Sequence, residues 1–389
     1  MSQRKPSTFV SGLALFSMFF GGGNLVFPLV LGGVAGSKTP VAMLGLFVTA
    51  IFFPLIGLFS LMLFEGDWRQ FFGRLGVRVG ALVFFIIQIV HNPMGAIPRL
   101  YTVSYATLER YLPTGSFFLF TLLASLLLFI CAWKRSRVIQ LLGYVLTPIL
   151  LLSLGTILIL GLVNRPPAPP VETPSLLVFG KGLTTGYFTL DFIASFFFAT
   201  LVLTDFRRYT DHLEPREGRK VLARQFSKAS LIAAILLGLV YIGMGLVAAS
   251  HIPTLGEVKP ENLLNSIAVH LLGEVGGFIA SIAVAMACLT TAISLVFIFA
   301  DYLGKDLFKG RIGKALPLVI TLVSSAYLAN LGFSGIAALL FPILSILYPA
   351  LIVVAALNLA YKLYQFRPIK IPFYTVLLLS LFHYFWATR

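Results

Sequence analysis

The sequence predicts an all-α polytopic membrane protein made of two five-helix repeats of opposite topology. Three observations carry that expectation. The 389 residues are 58% hydrophobic and only 11% charged, with a mean hydropathy of +0.96, whereas soluble domains carry about 25% charged residues. Apolar windows of about 20 residues, enough to cross a hydrocarbon core, recur along the whole chain. Two of those windows, the first and the sixth, are interrupted in the middle by glycine and polar residues.

The windows fall near residues 9–35, 40–64, 80–108, 115–133, 138–163, 184–206, 228–250, 275–303, 315–333, 335–361 and 371–387. Between the ninth and tenth only Gly332, Ser334 and Gly335 mark a boundary. Pro166, Pro167, Pro169, Pro170 and Pro174 form a stiff linker after the fifth window. The expected organisation is therefore a first repeat at 1–163, an extracytoplasmic linker at 164–183, a second repeat at 184–361 and an extra C-terminal helix at 362–389. Five spans per block is an odd number, so the second block repeats the first upside down.

Charge tests that topology. Placing the N-terminus in the cytoplasm assigns to inner loops all of the 29 Lys and Arg except Lys38, Arg99, Arg110, Arg165, Lys181, Lys259 and Arg389. The alternation holds at every loop, as the positive-inside bias requires. It also accounts for the net charge of +15 without nucleic acid as a partner. Eleven spans would leave the C-terminus outside.

The first window holds Gly21, Gly22, Gly23, Asn24 and Pro28 at its centre. Glycine is a weak helix former, and proline removes a donor. In hydrocarbon, non-helical backbone persists only around a protein-lined cavity, so the break reads as a binding site. Two other readings stand beside it. The glycines could serve close helix approach, and Arg4 and Lys5 before the apolar run from Phe9 to Phe20 resemble a signal peptide. Against the latter, apolar sequence resumes after Asn24 and runs to Ala35.

The sixth window is interrupted by Gly186-Tyr187-Phe188-Thr189-Leu190-Asp191. Asp191 is the one carboxylate placed deep within a span, and intramembrane ionisable groups are functional by default. It would either couple a cation or proton, or cap the amides freed at the break. In the eighth window Thr290 and Thr291, with Ser294 beyond, offer hydroxyls that reach a hard cation between two helices or bond back to their own helix. Arg99, after Pro93 and Pro98, is either a snorkelling or structurally paired arginine, or a lining of the outer vestibule that takes a substrate carboxylate. Cys131 and Cys288 lie in apolar segments, and the five histidines have no metal-ligand spacing. No catalytic constellation is expected, so the chain is not read as an enzyme. A membrane-embedded enzyme would need clustered His or carboxylates, and a channel a ring of carbonyls or charges.

The run from Gly12 to Pro28 closely resembles the N-terminal signature of the bacterial branched-chain amino acid:cation symporters (BrnQ-type). Ala96-Ile97-Pro98-Arg99 with Thr102-Val103-Ser104, then Gly186-Tyr187 with Thr189 and Asp191, then Ala287-Cys288-Leu289-Thr290-Thr291 are similar to its later motifs, in the family's order. The resemblance implies a LeuT-like fold, that of the sodium-coupled leucine transporter, with broken helices 1 and 6. It also implies sodium-coupled symport of leucine, isoleucine, valine or similar apolar amino acids into the cytoplasm of a bacterium, across the inner membrane. A proton-coupled permease for another small amino acid is the alternative. By matching positions, the carbonyls of Ser17, Phe20 and Ala287 and the hydroxyls of Thr290 and Thr291 would hold Na+. Gly21, the amides of Gly22 and Gly23, Asn24, Phe188 as an aromatic lid, Thr189 and Asp191 would serve the substrate. Asn24 and Thr189 match ligands of a second sodium site, but span seven lacks the asparagine that would complete it. Gly22 stands where the family has alanine, Leu29 where it has a second proline and Ala106 where it has glutamate. The chain is short for the family by a final helix, which lies outside the repeats and is expected to be dispensable. Substrate, coupling ion and bilayer are the expected partners, with no obligatory protein partner.

Overall fold

The computed structural model describes residues 7–111, 115–133, 147–207, 210 and 214–387. It is 87% helical, and no strand occurs among the described residues. Arg4, Lys5, Lys134, Arg135, Arg137, Arg208, Arg389 and the start of the fifth window, residues 138–146, lie outside them.

Every predicted apolar window meets helix. The first is α1 (Thr8–Phe19) and α2 (Gly22–Ala35); the second is α3 (Thr39–Phe47) and α4 (Phe53–Leu63), joined by one π-turn. A short α5 (Trp68–Gly73) leads to the third, α6 (Val77–His91) and α7 (Ile97–Leu108), joined by a π-turn at Asn92–Ala96. Then follow α8 (Phe117–Ala132), α9 (Thr147–Val163), and the second broken span, α10 (Ser175–Tyr187) and α11 (Asp191–Arg207). The chain ends with α12 (Pro215–Leu255), α13 (Leu263–Tyr302), α14 (Ala315–Ala329), α15 (Gly332–Tyr364) and α16 (Lys370–Ala387). Among the described residues, five apolar helical stretches are long enough to cross a membrane, one of them running through α2, α3 and α4 from Gly22 to Leu63, and α10 with α11, bent by 41°, makes a sixth; α1, α8, α9 and α14 are shorter. Helix α10 starts at Ser175, so part of the expected linker is helical. Near the start of α13, Gly273 breaks the rod with φ +68, a conformation that costs glycine little.

Burial separates the broken spans from the rest. From Ser11 to Phe19 every residue of α1 is buried, and so is Asp191–Ala199 of α11. A helix apolar all round belongs at the centre of a bundle. By contrast α8 exposes Leu119, Leu122, Leu123, Leu126, Leu127 and Ile130, and α12 exposes Leu231, Ile235, Leu239 and Ile242. These faces suit lipid.

Packing follows the repeat. The first broken span lies along α12, and the second lies along α3 and α4. Lipid offers little hydrophobic drive between helices, so close backbone approach through small residues matters. A Cβ at Gly32 of α2 would stand 2.2 Å from the Gly245 carbonyl oxygen of α12. Equivalently, a Cβ at Gly182 of α10 would stand 2.1 Å from the Ala42 carbonyl oxygen of α3. Each repeat thus docks its broken helix on the second helix of the other through glycine.

Loops assigned to one side of the membrane also meet one another. Arg69 pairs with Asp306, and Arg207 with Glu65 at 3.1 Å. Arg74 donates to the Arg367 carbonyl at 2.8 Å and to Asn358 at 2.9 Å. At the other end Lys38 donates to the Thr173 carbonyl at 2.7 Å, and Arg110 pairs with Glu274.

Candidate functional site

Helix α1 ends at Phe19 and α2 begins at Gly22, so only Phe20 and Gly21 are non-helical, Gly21 being extended (φ −125, ψ −160). This is a tighter break than glycine and proline content suggests. Gly22, Gly23 and Asn24 already form the first turn of α2, and Pro28 sits within that helix. The ends of two half-helices nevertheless meet here, leaving carbonyls of α1 and amides of α2 without intrahelical partners. The glycines also serve close approach. A Cβ at Gly21 would lie 3.0 Å from Thr291 Cγ2, at Gly22 3.3 Å from the Arg99 carbonyl oxygen, and at Gly23 3.3 Å from the Phe188 carbonyl oxygen. The run is therefore both a break and a contact point for the third, sixth and eighth spans.

On the eighth span, Thr291 Oγ1 donates to the Ser17 carbonyl at 2.9 Å and to the Phe20 carbonyl at 3.1 Å. Thr290 Oγ1 donates to the Ala287 carbonyl at 2.8 Å. Ser17 and Ala287 are fully buried, and Thr290 is only 1% exposed. Of the sequence-predicted ion ligands, Ser17, Phe20 and Thr291 meet where helix one breaks against helix eight, whereas Thr290 bonds back to Ala287 on its own helix. Hydroxyl and carbonyl oxygens in a dry pocket are the donor set that hard cations take.

The second break passes through Phe188, Thr189 and Leu190. Leu190 has φ +66 and is buried, a left-handed conformation costly for a bulky residue and often stored at functional sites. Thr189 Oγ1 caps the Gly186 carbonyl at 2.9 Å. Asp191 opens α11, where a carboxylate is favoured by the helix dipole. Both its oxygens accept from Asn24 Nδ2 at 2.8 Å, and one accepts from Tyr241 Oη at 2.8 Å. Asn24 Nδ2 also donates to Tyr241 Oη. The carboxylate thus joins spans one, six and seven through side chains. Tyr241 was not legible as a site residue: it is a single hydroxyl in an apolar run with no motif around it. It stands on the span that lacks the asparagine expected for a second ion site.

Gly21, Gly22, Gly23, Asn24, Thr189, Asp191 and Thr291 line one cavity of about 20 Å³, with His91, Arg99, Leu100 and Phe198 among the other walls. That is room for about one water, so an amino acid needs the walls to part. The expected lid residue Phe188 does not line this cavity; its ring packs 5.4 Å from Phe27 and 5.9 Å from Phe341. Arg99 does not snorkel, and it pairs with no carboxylate among the described residues. It is 1% exposed, donates to the Phe188 carbonyl at 2.6 Å, and stacks over Phe27 and Phe333 at 5.2 and 5.6 Å.

Two discontinuous helices crossing at a central polar cavity, inside an inverted repeat, define a secondary transporter of LeuT-like fold. The sequence pattern of the family described as branched-chain amino acid transport protein matches residues 4–388, and the chain belongs to that family. Relatives named branched-chain amino acid carrier protein include one from Staphylococcus aureus (strain USA300), 30% identical and covering 97% of this chain and 87% of its own length. Another, from Staphylococcus haemolyticus (strain JCSC1435), is 30% identical over 96% and 87%. Among solved structures, the nucleobase-cation-symport-1 family transporter Mhp1, closed with bromovinylhydantoin bound, superposes with a TM-score of 0.66 at 12% identity, covering 99% of this chain and 93% of that one. Its inward-facing form gives 0.61. At that identity the likeness speaks for the fold alone.

Proposed function

We propose that the protein is a sodium-coupled symporter that carries branched-chain amino acids into the cytoplasm across a bacterial inner membrane, by alternating access. The observation that carries the ion half of this reading is the bridge from Thr291 Oγ1 to the Ser17 and Phe20 carbonyls. A cation entering there would turn the Thr290 and Thr291 hydroxyls so that their lone pairs face it. It would draw on the Ser17, Phe20 and Ala287 carbonyls and tie the first span to the eighth. The substrate half rests on the family and on the cavity at the two breaks. There the positive end of α2 favours a carboxylate, and the amides of Gly22 and Gly23 would donate to it. Phe188 would close over the side chain. Ion binding would favour one of two global states and substrate binding the next, the repeats rocking about the fixed site.

A second reading has an observation of its own. Asp191 is a buried carboxylate held by Asn24 and Tyr241, and such a group could carry a proton through the cycle in place of sodium.

Labelled leucine uptake into proteoliposomes, under an imposed sodium gradient with a proton gradient in parallel, separates these readings. Sodium-driven accumulation competed by isoleucine and valine is the expected result. Accumulation driven only by protons would move coupling to Asp191, and no uptake under either gradient would overturn the substrate assignment.

A further inference from the structure

Arg99 is unlike every other basic residue in the described structure. It is among the largest fully buried side chains, at 1% exposure. Of its guanidinium nitrogens, one Nη donates to the Phe188 carbonyl at 2.6 Å, while Nε and the other Nη have no hydrogen-bond partner. No salt bridge involves it among the described residues. The carboxylate on the same cavity, Asp191, is already held by Asn24 and Tyr241. Burying an arginine with donors unused is costly. The aromatic faces of Phe27 and Phe333 at 5.2 and 5.6 Å offset part of that cost, but they supply no acceptor.

The position of the group says what would complete it. Its backbone lies against Gly22, whose Cβ would be 3.3 Å from the Arg99 carbonyl, and its bonded partner, the Phe188 carbonyl, lies 3.3 Å from a Cβ at Gly23. The guanidinium therefore stands beside the N-terminal turn of α2, where amides of the same polarity are also unpaired. Arg99 shares the lining of one cavity with Gly22 and Gly23, its guanidinium seated by the Phe188 carbonyl and over Phe27 and Phe333, and planar fork donors match a carboxylate in two parallel bonds.

We propose that Arg99 is the anchor for the substrate's carboxylate, acting with the amides of Gly22 and Gly23, so that the transporter requires a free α-carboxyl group. This rests on the amino-acid substrate reading above and adds to it a residue and a chemical requirement. Binding also closes the roof. Once paired, the guanidinium links span three to both breaks while keeping its seat over Phe27 of span one and Phe333 of span ten. In reverse, the unpaired cation disfavours closure around a ligand that has no carboxylate.

The test is competition binding to the purified full-length protein, with labelled leucine against unlabelled leucine, isoleucine and valine and the amides of the same three. Wild type should prefer each acid over its amide by roughly 10- to 100-fold, as expected for charge-assisted bonds to one group. Arg99→Gln should lose most of that preference through weaker binding of the acids, with binding of the amides little changed. Retained amide binding also reports that the variant folds. Arg99→Lys, which keeps the charge but not the fork, should fall between. Equal loss of acids and amides in Arg99→Gln, or an undiminished preference, would overturn the anchor while leaving the transporter reading intact. A wild type that binds none of the three acids would overturn that reading and the anchor with it.

Discussion

Replacing Thr291 by valine keeps the shape of the side chain and removes one hydroxyl. In the structure that hydroxyl meets two carbonyls, Ser17 at 2.9 Å and Phe20 at 3.1 Å. Valine leaves both unpaired in a dry site, at about 1–3 kcal/mol. If sodium binds there, the variant loses an ion ligand as well, but it also loses the hydrogen bond that the ion must displace. The net effect on the ion is the difference, on the order of 1–2 kcal/mol, or roughly a 5- to 30-fold rise in the sodium concentration for half-activation. The readout is thermal unfolding of the detergent-purified protein across a sodium titration. At 100 times the wild-type dissociation constant the ion stabilises by about 2.7 kcal/mol, and a tenfold weaker site halves this to about 1.4 kcal/mol. Thr291→Ser keeps the oxygen and should retain the sodium response, losing only the methyl that packs on Gly21. A Thr291→Val protein with a lower melting temperature but unchanged sodium half-saturation would reduce Thr291 to a tie between helices, and the ion-site argument would fail.

Other perturbations separate the neighbouring functions. Asp191→Asn should weaken leucine binding more than tenfold while preserving sodium-induced stabilisation; loss of that stabilisation would place the carboxylate in the ion site instead. Tyr241→Phe removes one bond to Asp191 and should cost about 1 kcal/mol of stability, read in the same melts. Gly182→Val puts a side chain where a Cβ already meets the Ala42 carbonyl at 2.1 Å, so it should force α3 and α10 apart and cost about 3 kcal/mol or more. Gly180→Val, two residues earlier and facing open space, is the control and should elute in size-exclusion chromatography as wild type. Gly22→Ala brings a Cβ to 3.3 Å from the Arg99 carbonyl, close enough that span three must give by a few tenths of an ångström, and should lower uptake by about a few-fold.

Composition and periodicity by themselves determined the class of this protein. A chain so apolar has to put its surface in lipid, and backbone in lipid has to be helical. Two interrupted windows five spans apart, with alternating loop charge, made the inverted repeat legible as well. Residues adjacent in sequence were equally readable: Gly21–Asn24, Phe188–Asp191 and Thr290–Thr291 each announce themselves as polar or small groups inside apolar spans.

What only the tertiary structure decided is which of these meet, and what stands alone. Whether Thr291 bonds its own helix or crosses to Ser17 depends on how closely helices one and eight approach, which Gly21 permits. Whether Asp191 caps its helix or binds a neighbour depends on Asn24, 167 residues away, and on Tyr241, a hydroxyl with no motif. Arg99 was visible as an intramembrane arginine, but its sequence neighbours are silent about partners. Its unpaired donors come from an environment assembled by spans one, three, six and ten, and a lone side chain records nothing of the burial that leaves it unsatisfied.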